Sequence, residues 1–183
     1  MSKNHRIGST IALALLIAGA VVMSPVKAAD VPDSEQVSKL LSEAKNMAFQ
    51  LKDDAETMES YTRSGAKWES HAAAISQVKE HVNSLGQQVG KLKEAKNTAS
   101  PWQKMAIDRI NPFLYELAGY TEAAIEHLNK RPNLLMTPEY KDYLEANADY
   151  AGDLAAMIGD FTDYGRTKQR LERLTDKLEL PAK

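Results

Sequence analysis

The sequence predicts an all-α protein: an antiparallel up-down-up-down four-helix bundle with a C-terminal amphipathic helical extension, following a cleaved signal peptide. Three observations predict it. Apolar residues recur at alternating spacings of three and four in four separate stretches, the pattern of helices packed along a seam. No stretch competes with the apolar/polar alternation of a half-buried strand. The 183 residues include no cysteine, so an exported chain of this kind relies on packing alone for its stability, and its length suffices for a core.

At the N-terminus, Lys3, His5 and Arg6 precede an apolar run from Ile7 to Met23, followed by Pro25-Val26-Lys27-Ala28. A cationic start, a run shorter than the ~20 residues that span a bilayer and small residues before the cut describe a signal peptide over 1–28. Cleavage is expected after Ala28, with Ala29 the near alternative. The remainder, 29–183, is a single domain with 20 basic and 25 acidic residues. A net acidic chain argues against nucleic acid as partner, and the signal peptide leads us to expect the protein in the periplasm or outside the cell.

Helix 1 is expected over about 34–63 on the seam Val37, Leu41, Ala44, Ala48, Leu51, Ala55 and Met58, with Asp33 and Gln36 as a capping box and Gly65 as its stop. Helix 2, about 66–97, carries Ala72, Ile75, Val78, Val82, Leu85, Val89, Leu92 and Ala95, and Gly86 and Gly90 read as a close-packing notch. Ser100-Pro101-Trp102-Gln103 is a helix start with a capping Ser, Pro in the first turn and Gln three residues on. Helix 3 follows over 101–130 on Ala106, Ile110, Phe113, Leu117, Tyr120, Ala124 and Leu128, and Pro112 should kink it. Thr137-Pro138-Glu139 repeats the start signal for helix 4, about 138–180, on the seam Leu144, Ala148, Ala151, Ala155 and Ile158, flanked by Leu154 and Phe161. Beyond Gly165, Leu171, Leu174 and Leu178 prolong an apolar stripe, and the tail either projects or folds back at that glycine.

Ser100-Pro101-Trp102-Gln103, Asp108-Arg109-Ile110-Asn111-Pro112 and Tyr140-Lys141-Asp142-Tyr143-Leu144-Glu145-Ala146-Asn147-Ala148 resemble segments of a family of secreted bacterial helical proteins to which no activity is attached. The resemblance implies export and an all-helical fold and supplies no functional residue.

Catalysis finds little support. The serines lie in caps, loops or exposed helix positions with no nucleophile elbow, and no glycine loop cradles a phosphate. No catalytic residue and no metal cluster are expected, and the acids Asp53, Asp54, Glu56 and Glu59 read as a solvated face. In an antiparallel hairpin, residues equidistant from the turn share a height, which sets His71, His127, Tyr140 and Met58 in one layer. Imidazole and thioether are ligands that haem iron and copper accept in thiol-free exported bundles. The alternative reading is therefore a haem- or copper-carrying bundle of the cytochrome type using Met58, His71 and His127.

The leading expectation is a non-enzymatic binding protein. Helix 4 outruns its neighbours by residue 166, so Leu171, Leu174 and Leu178, flanked by Arg170 and Arg173, need a cover: a protein partner, a second copy of the chain or, peripherally, an anionic membrane surface. Contact through this tail and the kinked third helix would be helix-to-helix docking.

Overall fold

The computed structural model describes residues 31–179, so the expected signal peptide lies outside the described residues. Helix α1 spans Glu35–Ser64, α2 Trp68–Glu94, α3 Pro101–Lys130 and α4 Pro138–Lys177, and a short 3-10 turn, Ala95–Thr98, follows α2. No strand occurs among the described residues, and none of their helices is long and apolar enough to cross a membrane. The fold is all-helical with four helices packed together: α1 lies on α2 and α4, and α3 on the same two.

The start of α1 corrects its expected cap. Ser34, rather than Asp33, is the N-cap, its hydroxyl accepting from the Val37 N–H. Asp33 instead turns outward from the helix to Trp102 Nε1 at 2.7 Å and Lys168 Nζ at 3.0 Å. At the other end Gly65 adopts φ 65°, the left-handed conformation that closes a helix and that a Cβ would strain. All seven residues of the expected α1 seam are buried.

In α3 the expected seam holds at Ala106, Ile110, Leu117, Ala124 and Leu128 but slips by one residue between them. Leu114 and Thr121 are buried where Phe113 and Tyr120 were expected. Thr121 is accommodated because its hydroxyl shares its one proton between Asn147 Oδ1 of α4, at 2.6 Å, and Leu117 O, while Asn147 Nδ2 donates to Tyr143 O. Asn147 likewise displaces Ala148 from the core. Two polar groups that satisfy one another can be buried at little net cost. The displaced rings gather at the flank, where Tyr150 packs on both Phe113 and Tyr120.

The glycines also differ from expectation. A Cβ on Gly90 would meet nothing within 4 Å and one on Gly86 only Leu114 at 4.0 Å, so this pair forms no close-packing notch. They border instead an open groove between α2 and α3. The close approach is at Gly165, where a Cβ would sit 2.7 Å from the Trp102 ring. That ring is fixed by its bond to Asp33, so it cannot retreat freely, and Gly165 serves as a seat for the indole rather than as a hinge. Accordingly α4 runs unbroken through it.

Candidate functional site

Two regions hold the residues singled out by sequence. The first is the buried layer near the α1–α2 turn. His71 projects from the first turn of α2, Tyr140 from the first turn of α4 and His127 from the last turn of α3. Tyr140 is fully buried and receives both imidazoles: His127 stacks on its ring at 4.9 Å and His71 lies tilted at 5.5 Å, with Nδ1 3.1 Å from the phenol oxygen. The edge of Tyr61 closes on His71 at 5.5 Å. Met58 is fully buried in the α1 core.

Burial depresses the His71 pKa and raises that of Tyr140, so both are neutral near pH 7. With the phenol donating to His71 Nδ1, one buried atom, Nε2, lacks a partner; the reverse assignment would strand the phenol proton as well. His127 Nε2 is committed to Leu134 O at 3.0 Å, and its Nδ1 stands 3.9 Å from Glu139. Tyr140 fills the space against which both imidazoles pack, so a haem or copper held by His71 and His127 would have to displace its ring and take His127 Nε2 from Leu134 O. No group of three or more His, Cys, Asp or Glu side chains is placed to hold a metal among the described residues. Chemically the arrangement is a packed aromatic layer that fixes the starts of α2 and α4 to the end of α3.

Its ionisation has a testable consequence. An unfolded histidine takes up its proton as the pH falls through about 6.5, whereas native His71, its pKa lowered, resists. The unfolded state then binds more protons, so stability rises with pH across this window and is lost on acidification. The drop in melting temperature between pH 7.5 and 5.5 should be smaller for His71→Gln, which keeps an acceptor for Tyr140 but cannot titrate. Equal drops would show that His71 titrates normally.

The second region runs along the outer side of α4. Arg170, Leu171, Arg173, Leu174 and Leu178 are all exposed, the leucines at 64 %, 45 % and 61 % in order. The unaccompanied stretch begins later than the sequence suggested, because Lys168 is still tied to Asp33 of the α1 leader and to Glu172. Burial works to raise the Asp33 carboxyl, but the neighbouring Ser100 hydroxyl, Lys168 and Trp102 outweigh it and hold it below the usual range. For Lys168 the loss of water is likewise outweighed by Asp33 and Glu172, which keep the ammonium charged.

Sequence reasoning missed the groove beside this stretch. A hollow of about 980 Å³ opens between α3 and α4, with Met105, Pro112, Phe113, Met157 and Phe161 in its apolar lining and three acids, Asp108, Asp153 and Asp160, against one base, Arg109, as its charged residues. Pro112 has no N–H, which removes the usual helical donor of the Asp108 carbonyl in the same wall. The signal was present in the sequence: Met157, Asp160 and Tyr164 share the three-and-four spacing of the tail leucines.

No protein-family model, curated protein or solved structure matches the chain.

Proposed function

We propose that this is an exported, periplasmic or secreted protein that works by binding and not by catalysis, docking a helical partner on the outer face of α4. Its body, in this reading, is an up-down-up-down bundle. Head-to-tail pairings support that order: Gln88 with Leu40, Lys96 with Asp108, Thr121 with Asn147 and Lys168 with Asp33. The observation that carries the function is the exposure of Leu171, Leu174 and Leu178 on one continuous helix, beside cations that have no ion-pair partner at Arg170 and Arg173 among the described residues. Isolated surface leucines are ordinary, whereas three on one stripe beside an apolar groove form a patch of the kind that marks contact sites.

A photo-crosslinking residue at Leu174, in the full chain expressed and exported by its own cells, should yield a discrete protein adduct. The same residue at exposed Glu80 on α2 should not. Absence of adduct at Leu174, or equal adduct at both positions, would overturn the reading.

A further inference from the structure

Resting on the reading that the outer face of α4 is a docking surface, we infer that its occupant is the same face of a second copy, the two α4 helices crossing antiparallel about a twofold axis near Gly165.

The charge distribution along α4 is the first support. Residues 142–165 carry six acids and no Lys or Arg, whereas 166–177 carry five bases against two acids. Antiparallel pairing lays the basic half of each helix beside the acidic half of the other; parallel pairing would set like against like.

The second support is a continuous seam. Met157, Asp160, Tyr164, Thr167, Leu171, Leu174 and Leu178 follow one another at spacings of three and four. This spacing keeps contact along one line between two helices. All are exposed except half-buried Met157, so the stripe lies on the solvent side of α4 from the bundle into the tail.

The third is the groove, which supplies the other half of the contact. With the axis near Gly165, the partner helix brings its Leu174 over Met157 and its Arg170 and Arg173 beside Asp160. The groove residues Asp153 and Asp160 have no ion pair among the described residues, and neither do Arg170, Arg173 and Lys177. An isologous contact satisfies both sets twice, once on each side of the axis.

The test uses charge reversal and mixing in the full chain purified after export. The protein should sediment at twice the mass of one chain. Asp153→Lys with Asp160→Lys sets a basic groove against a basic tail, and Arg170→Glu with Arg173→Glu sets an acidic tail against an acidic groove. Each variant should sediment as a single chain with its helical signal intact, and mixing the two should restore the double mass, because both contacts then become attractive. A wild-type protein that sediments as one chain, or a mixture that stays so, would overturn the second copy.

If a reversed variant fails to fold, the cysteine-free chain offers another readout. Tyr164→Cys and Thr167→Cys lie opposite one another across the axis and should oxidise to a linked pair faster when mixed than either does alone, and equal rates would overturn the inference. A Leu174 adduct to a different protein would remove the second copy and leave the docking reading standing. Monomeric sedimentation with no adduct would remove both.

Discussion

Replacing Tyr140 by Ala should cost about 3–5 kcal/mol, the range for deleting a large aromatic side chain from a packed core. Tyr140 is fully buried and joins α4 to His71 of α2 and His127 of α3, so its loss leaves a cavity lined by two imidazoles rather than by side chains able to collapse into it. Tyr140→Phe keeps the ring and removes the hydroxyl. It should cost about 1–3 kcal/mol, because His71 Nδ1 then joins Nε2 as a buried atom without a partner. Urea unfolding at pH 7.5 measures both. A cost for the Ala variant no greater than that for the Phe variant would show that the ring is not packed as described.

Gln103→Leu should be comparably damaging although the two side chains are close in size. Gln103 is fully buried and makes four hydrogen bonds: its Oε1 accepts from the N–H groups of Ser34 and Ser100, and its Nε2 donates to Ser34 O and Ser38 Oγ. Leucine makes none of them and strands backbone groups that have little access to water. At roughly 1–3 kcal/mol per buried orphan, with the Ser100 and Ser34 amides the main losers, a total of about 2–6 kcal/mol is expected. Amide exchange should localise the damage, accelerating the first turn of α1 and the Ser100 amide while leaving the middle of α2 protected. Uniform acceleration would mean that Gln103 acts through global packing and not as a latch.

Gln103 also illustrates how far the sequence could be read. Its place three residues after Ser100 marked a helix start, and its bond to the Ser100 N–H fulfils that local role. Its two bonds to Ser34 could not be foreseen, since they depend on how α1 and α3 approach one another. The α1 seam was legible in full because heptad spacing follows from helix geometry alone. The heights of His71, His127 and Tyr140 were legible too, from antiparallel counting. Their chemistry was not, because residue types that bind haem are also residue types that pack and hydrogen-bond.

The slip at Leu114 and Thr121 has a similar cause. Ranking by apolarity favours Phe113 and Tyr120, whereas burying Thr121 becomes acceptable once Asn147 stands across from it. Glycine spacing misled in the opposite direction. Gly86 and Gly90 looked like a notch by their separation, while the seat that needs a glycine is Gly165, identified only by the Trp102 ring above it.

The central claim is that the leucine seam of α4 is the contact surface and the buried aromatic layer is scaffold. Its most direct test is a photo-crosslinking scan through residues 170–178 of the full chain expressed in its own cells. Adduct yield should peak at Leu171, Leu174 and Leu178 and fall at Glu172 and Asp176, reproducing the three-and-four spacing of a helix docked along one stripe. Yield that is flat across the scan, or peaks on the Glu172 and Asp176 side, would contradict it.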